Sequence, residues 1–533
     1  MGGQTTVLTA TDPRVTCVTP SVGGSGYLYQ DWWGLPRTAR TMNSAHLDWY
    51  ERTADPQSYW PDITCPTLFL EASNDFNAPF DLVTKAMALQ NPAVTHRLAV
   101  APHFNHRFDS AAYAARVLWQ KANLTGSFDF PPTSVAKLDL NQNNGIPLFS
   151  VWPDASTAHS ILSVDIYYGY DRDPLTRFWR DAVAAETSPG LWQARCPVND
   201  TNEPLVAFAL VTYDCGFDLA MPAGFTSPTR LFSVASEVKT VYPPELANHA
   251  VRATETKLRK IDDFSRGYHD WFILNAGHPT LFEFWTRKLN DPTWKGNANS
   301  RLSFDVATTA AGNSLGVTLQ AVQWNSTPST EYHAIVALNA AGGHAVSLQV
   351  SDFTNGLNEP LTSWDKVNQL RLSAGRLVDG AQADWAGAGP AFSNLRWEGG
   401  SYPEDFTTSQ GTPNLWLYQH GLVVEGDFET ADLGDHDSDG RKNWEEYQAG
   451  TDPNNPASAF RITSLSRVEN QHVLEWQAVA GKTYAVWFSE DLTAPNWTLK
   501  ASGIPGVEPI TSATIPGNGN RGFFRIGIAA EGK

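Results

Sequence analysis

Pro66-Thr-Leu-Phe-Leu-Glu-Ala-Ser-Asn-Asp75-Phe-Asn-Ala-Pro79 decides how the first quarter of the chain folds. An apolar run ends in a cluster of turn residues that carries a carboxylate, and a proline follows, so it reads as a strand running into a loop. Working outward, Val15–Pro20 and Arg97–Ala101 are two more short apolar runs. Pro79–Gln90 and Ser110–Lys121 place apolar residues at helical spacing. Strands alternating with helices of this length predict a parallel sheet built from βα units over residues 1–125. Tyr27–Tyr59 interrupts that alternation with Trp32, Trp33, Trp49, Tyr50 and Tyr59 among polar residues. It reads equally as a lid over a pocket or as a core patch.

From Pro131-Pro132 onward the helical pattern almost disappears. Val164–Tyr168, Leu191–Ala194 and Leu205–Tyr213 have the β-branched and aromatic content of strands, which predicts a small β-sandwich over 131–225. Arg301–Val306, Gly316–Gln323, His333–Leu338 and Val346–Val350 alternate between turn residues. That pattern predicts a second, larger sandwich of jelly-roll type over 226–425. An acidic segment, 426–456, precedes a last β-module, 457–533. The fold class is therefore multidomain: a partial α/β unit followed by mainly-β sandwich and jelly-roll domains.

Length and composition agree, because 533 residues suit three to five domains. With 38 basic against 56 acidic residues the formal charge is −18, and only 18% of residues are charged. A surface for nucleic acid, which needs concentrated Lys and Arg, is excluded. No apolar run is long enough for a transmembrane helix. Of the four cysteines (Cys17, Cys65, Cys196, Cys215) none forms a C-x-x-C pair, so a thiolate zinc site has no support. Cys196 and Cys215 flank strand-like runs and are open to one bridge or to two free thiols.

Asp435-His-Asp437-Ser-Asp439-Gly440-Arg441-Lys-Asn443-Trp-Glu-Glu446 satisfies the D-x-[DN]-x-[DN]-G-x5-E calcium loop at every specified position. Three carboxylates at alternate positions point into one concavity, and Gly440 permits the sharp turn. Arg441 offers its carbonyl, Asn443 acts directly or through water, and Glu446 closes the shell with two oxygens. The expectation is Ca2+ in a structural role. The run that follows, ending Gly450-Thr-Asp452-Pro453, resembles bacterial relatives of thrombospondin type 3 repeats, which makes Asp452 a weaker ligand candidate.

Met1-Gly2-Gly3, Asp12-Pro13-Arg14-Val15 and Thr19-Pro20-Ser-Val-Gly23-Gly24 resemble the α/β-hydrolase superfamily just after its nucleophile elbow. The nearest group is esterases of the acetyl-xylan-esterase and dienelactone-hydrolase type. The resemblance implies that Met1-Gly2-Gly3 is the tail of a Gly-x-Ser-x-Gly-Gly elbow, with the serine immediately before Met1 and the Met1 N–H as one oxyanion donor. It also implies Asp75 as the triad acid and His106, in Ala101-Pro-His103-Phe-Asn-His106, as the base. Asp81 is the alternative acid and His103 the alternative base. The chemistry fits these types: imidazole takes the serine proton while a buried carboxylate fixes its tautomer and stabilises the imidazolium. Gly312-Asn-Ser314-Leu-Gly316 matches Gly-x-Ser-x-Gly literally but lies between two strand-like runs, where the elbow needs a strand and then a helix. The N-myristoylation pattern of Met1–Thr6 is set aside, because the elbow reading explains the same glycines.

Arg177-Phe178-Trp179-Arg180 is similar to the sandwich appended to secreted bacterial hydrolases, and reads as packing with cation–π contact. Ile261–Trp271 resembles the opening of galactose-binding-like jelly rolls, a fold shared with carbohydrate-binding modules. Trp271, Trp285, Trp294 and Trp324 are thus sugar-stacking candidates or core residues. Tyr484-Ala-Val-Trp487 and Phe523-Phe-Arg525-Ile526 resemble a Verrucomicrobia-type carboxyl-terminal β-module. Two readings stand side by side. One is a secreted serine esterase acting on a small ester or a polysaccharide, inactive as this chain alone, its signal peptide lost with a missing amino terminus. The other is a non-catalytic, calcium-stabilised carbohydrate-binding or cell-surface protein.

Overall fold

The computed structural model describes residues 2–26, 44–141, 145–154, 158–274, 280–321, 330–374, 384–493, 495–517 and 522–528. Two compact units divide the chain: Met1–Ala253 with Lys257–Ser401, and Tyr402–Lys533 with Thr254–Thr256. In both units the strands pair mostly antiparallel.

The first unit opens with helices α1 (Gly2–Ala10) and α2 (Ser44–Thr53), strand β1 (Thr67–Ala72), α3 (Phe80–Leu89), β2 (His96–Ala101) and α4 (Ser110–Thr125). β1 and β2 pair in parallel from Thr67↔His96 to Ala72↔Ala101. Residues 18 and 21 bridge in parallel to β1 on its other edge. Every residue of β1 is buried, as expected of a strand flanked on both edges and covered on both faces. α4 starts at Asp109, whose side chain accepts the Ala112 N–H, and ends at Gly126 in the left-handed conformation. Its Ala112, Ala115, Leu118 and Trp119 face joins a core with Leu68, Leu70, Ala99 and Ala101. The parallel part is thus smaller than a full α/β-hydrolase sheet: two paired strands and one bridged segment among the described residues.

A first sandwich follows. One sheet is β3 (Val135–Asp139), β4 (Leu148–Trp152), β7 (Ala185–Ser188) and β8 (Leu191–Arg195), in the order β3-β4-β8-β7. The other comprises β5 (Ile161–Gly169), β6 (Arg180–Ala182), β9 (Leu205–Leu219), β10 (Thr229–Ala235) and β11 (Lys239–Val241), in the order β10-β9-β5-β6 with β11 also on β9. The sequence boundary at 225 is therefore too early. β9 runs for 15 residues, and its edge is filled by β10 and β11, which lie beyond that boundary.

After α5 (Pro243–Asn248) the jelly-roll-like sandwich has β12 (Lys260–Asp262), β13 (Phe272–Leu274), β14 (Phe282–Thr286), β15 (Arg301–Thr308) and β16 (Asn313–Ala321). It continues with β17 (Thr330–Leu338), β18 (Gly342–Leu348), β19 (Gln369–Ala374) and β20 (Ala391–Glu398). Its sheets are β12-β20-β15-β18 and β13-β14-β19-β16-β17. Ser314 sits in β16 just after Gly312 (φ +81°), in a strand–turn–strand connection.

The second unit holds α6 (Asn414–Gln419), α7 (Phe428–Leu433) and α8 (Asn443–Ala449), then β21 (Ile462–Val468) to β26 (Phe523–Ile528) in two three-stranded sheets around Trp476, Tyr484 and Val486. No described helix is long and apolar enough to cross a membrane. All four cysteines are free: Cys196 packs in the first unit's core and the Cys215 thiol contacts the Phe217 carbonyl, so the bridge between them is not formed.

Candidate functional site

β1 and β2 deliver Asp75 and His106 to one place, because both loops leave the carboxyl ends of neighbouring parallel strands. His106 Nδ1 lies 2.8 Å from Asp75 Oδ2. Asp75 is 0% exposed, and the His106 side chain is 34% exposed. The other oxygen, Oδ1, accepts the N–H groups of Asn77 (2.6 Å) and Ala78 (2.7 Å). Burial raises the Asp75 carboxyl above its ordinary value, and the two N–H donors and His106 pull it back. With the carboxylate ionised, only the tautomer with its proton on Nδ1 satisfies the pair, which leaves a lone pair on Nε2 of the half-exposed ring.

Neighbouring residues hold the loops in place. His106 adopts φ +53° and His103 φ +64°, conformations unusual for non-glycine residues that persist only where the surroundings enforce them. Asn105 Oδ1 accepts the Phe76 N–H at 3.1 Å, tying one loop to the other, and the Phe76 ring lies 4.8 Å from the imidazole. Ser73 Oγ accepts the His103 N–H, and Asn74 donates to the carbonyls of Pro174 and Arg177. Ser73, Asn74 and Asn105 were not foreseen. Their only signal in sequence is a crowd of small polar residues at two strand ends.

The alternatives are used otherwise. Asp81 makes a bidentate pair with the fully buried Arg177 (2.7 and 2.9 Å). His103 is buried, with its pKa driven down to about 4 by desolvation. Glu71, inside β1, is held well above the usual carboxylate range by burial and by the charge of Asp75. Behind the dyad, a Cβ on Gly3 would meet the Gly23 carbonyl carbon at 2.4 Å, so α1 approaches the 22–24 turn as only glycine allows. Asn77 Nδ2 donates to the Val22 carbonyl of the same turn. Met1, Trp32, Trp33 and Trp324 lie outside the described residues. No described hydroxyl or thiol is hydrogen-bonded to His106 Nε2.

In the second unit, α7 enters and α8 leaves the acidic loop. One carboxylate oxygen from each of Asp435, Asp437 and Asp439 lies within 4.8 Å of the others. Each aspartate spends one oxygen on the loop backbone: Asp435 accepts from Gly440, Asp437 from Asp439, and Asp439 from Arg441. Gly440 takes φ +93° at the turn. Asp437 Oδ2, Asp439 Oδ2 and Glu446 Oε2 are buried without any hydrogen-bond partner. Burial, reinforced by Asp437 and Asp439, raises Glu446 to about 7. Crowded carboxylate oxygens without donors fit a hard cation with oxygen ligands. Asn443 serves as a brace: its Nδ2 donates to the Ala431 carbonyl at 2.6 Å, so α8 is pinned to α7. Asp452 is exposed and accepts from the Asn454 N–H, apart from the group.

Of the tryptophan candidates, Trp271 is buried with its N–H on Asp262, and Trp294 is packed under Arg180 and Phe178. Trp285 is half-buried beneath the Arg371 guanidinium, 4.8 Å from its ring.

No family model matches the chain, and no curated protein matches it. Among solved structures, a chain from work on the promiscuous specificity of carbohydrate-binding modules of the β-sandwich superfamily aligns with 50% of this chain and 98% of its own. Identity is 6% and the TM-score 0.16, which is too slight a likeness to carry a functional argument.

Proposed function

We propose that the first unit carries the acid and base of an ester-hydrolysing serine triad, Asp75 and His106. The observation that supports this is the 2.8 Å contact between a fully buried, backbone-anchored carboxylate and an imidazole whose second nitrogen has no hydrogen-bond partner among the described residues. His106 Nε2 takes the proton of a serine hydroxyl as it attacks the ester carbonyl, then returns it to the leaving alcohol. Asp75 holds the tautomer and stabilises the imidazolium. On this reading the serine is the residue just before Met1. The close approach of Gly3 to Gly23 supports the small-residue helix that such an elbow requires. On this reading the substrate is a small or carbohydrate ester, and the protein works outside the cell.

The decisive experiment measures p-nitrophenyl acetate turnover and fluorophosphonate labelling on two polypeptides: this chain, and one extended upstream through a Gly-x-Ser. Turnover and labelling confined to the extended form, and lost with His106→Ala, are the expected result. Activity of the short form that depends on His106 would overturn the assignment of the nucleophile.

We further propose that Asp435, Asp437, Asp439 and Glu446, with the Arg441 carbonyl, bind calcium as a structural ion. The three unpartnered buried oxygens support it. Isothermal calorimetry tests it, and an absence of binding below millimolar calcium would refute it. The non-catalytic reading keeps this calcium unit and discards the dyad; inactivity of the extended form would favour it.

A further inference from the structure

Arg287 follows β14 in the jelly-roll-like sandwich and is buried. A buried guanidinium ordinarily faces a carboxylate, because an unpaired charge is costly away from water. Arg177 does so with Asp81, and Arg180 with Asp291. Arg287 makes no ion pair among the described residues and donates to main-chain carbonyls instead. Burial, partly offset by the charge of Asp173, lowers its pKa to about 10.

The carbonyls it meets connect the two loops of the dyad. Nε donates to the Leu175 carbonyl at 2.6 Å, and Nη1 lies 3.5 Å from the carbonyl of His103, three residues before His106. The second contact is long, so its force comes from the guanidinium charge more than from hydrogen-bond geometry. Asn74, the residue before Asp75, reaches the same segment: its Nδ2 donates to Pro174 (3.1 Å), Leu175 (3.5 Å) and Arg177 (2.8 Å). The Asn74 N–H donates to the Phe104 carbonyl at 3.1 Å, which closes a circuit of acid loop, 174–177 segment, Arg287 and base loop. Phe272, from the same sandwich as Arg287, places its ring 4.8 Å from Phe104. All of these residues lie within the first unit. The base loop needs such support, since His103 and His106 both hold left-handed backbone.

We infer that Arg287 is a positioning residue for the dyad: it sets the base loop against the acid loop, which makes the jelly-roll-like sandwich a working part of the hydrolytic site. Its effect on turnover rests on the triad reading above; its effect on the contact between Asp75 and His106 does not. Arg287 touches neither member of the dyad and moves no proton. It acts through His103 and Leu175, whose carbonyls lose their common donor when it is removed. A displacement of about 1 Å at a reacting group costs on the order of 10²-fold in rate.

The test reads contact and rate separately. In this chain, labelled with 15N-histidine, the Nδ1–H proton of His106 on Asp75 should give a low-field NMR resonance, assigned by its absence from His106→Gln. Arg287→Met keeps the stem and removes the donors, so the resonance should be lost while the near-ultraviolet circular dichroism stays that of the folded chain. In the polypeptide extended upstream through a Gly-x-Ser, the same variant should lower kcat for p-nitrophenyl acetate by about 30- to 100-fold, with KM unchanged within about twofold. Arg287→Lys, whose ammonium serves one carbonyl at a time, should lose about tenfold in kcat and weaken the resonance; it decides the matter if Arg287→Met does not fold. Asp291→Asn weakens the neighbouring Arg180 tie between the same two sandwiches without touching either loop. It should lower the melting temperature and leave resonance and kcat as they are. An unaltered resonance in the Arg287 variants, a loss confined to KM, or an equal effect of Asp291→Asn would overturn the inference. A resonance that responds to Arg287, with no turnover in the extended form, would fault the nucleophile reading alone. No resonance in the unsubstituted chain would mean that the dyad contact is not made, and would overturn both.

Discussion

Two carboxylate sites in this chain are built on opposite principles. Asp75 has every lone-pair direction it needs answered from within the protein: two backbone N–H groups on one oxygen and an imidazole on the other. The acidic loop answers only half of its oxygens and leaves one each on Asp437, Asp439 and Glu446 buried and bare. A satisfied carboxylate is a fixture that positions something else. On the calcium reading, the unsatisfied cluster is a receptacle that a cation would complete. The first should therefore show its worth in rate and the second in stability.

The largest effect tests the fixture. In a polypeptide extended upstream through a Gly-x-Ser, Asp75→Asn keeps an oxygen for Asn77 and Ala78 but turns an N–H toward His106, which forces the wrong tautomer. Turnover should fall by about 10⁴ while the folded structure persists. A loss below tenfold would show that Asp75 is not the acid. Asp81 sharpens the contrast from the other side. Its partner Arg177 is wholly buried, so Asp81→Ala should cost about 3–5 kcal/mol in urea unfolding. The activity of the molecules that remain folded should stay unchanged. A shifted pH–rate profile instead would move the triad acid to Asp81.

What was legible in the sequence follows from how local each feature is. The acidic loop lies in twelve contiguous residues, so spacing alone brings the Asp435, Asp437 and Asp439 carboxylates together. Asp75 and His106 were legible because each ends a strand of one βα pattern. The extent of the first sandwich was not, because β10 and β11 are recruited by the length of β9, a pairing that no local alternation encodes. The tryptophans were ambiguous for a similar reason. Trp271 and Trp285 are close in sequence with the same local chemistry, and only the folded chain shows Trp271 buried with its N–H on Asp262 while Trp285 pairs with Arg371 and lies under its guanidinium. Nor does sequence show a brace: Asn443 fits the motif through its Oδ1, while its Nδ2 also holds α7 to α8.

That last distinction gives a smaller test of the receptacle. Calcium at about a hundred times its Kd should raise the unfolding free energy of the second unit by about 2.7 kcal/mol. Asp437→Asn should abolish this gain with little change in the calcium-free protein. Asn443→Ala should lower stability with and without calcium, since it removes a brace. Equal behaviour of the two variants in differential scanning calorimetry would erase the difference between them.

The smallest expected effect concerns pH, and its sign follows from Glu446. Its ordinary value is 4.5, and in the folded loop burial and the neighbouring aspartates raise it to about 7. Between those values the folded, calcium-free chain holds a proton that the unfolded chain has released. The contribution of Glu446 to stability is therefore full below about pH 4.5, falls as pH rises through the window, and is gone above about 7. Calcium takes the place of that proton, so its binding releases a proton below pH 7 and weakens as pH falls. With calcium saturating, Glu446 is ionised in both states across the window and the slope should vanish. Asp75, also raised by burial, lies in the other unit and contributes no calcium dependence. Chemical denaturation of the second unit at pH 5, 6, 7 and 8, with chelator and with calcium, separates the terms. Glu446→Gln should flatten the chelator curve; a slope that survives this substitution would mean that the receptacle does not store its strain in Glu446.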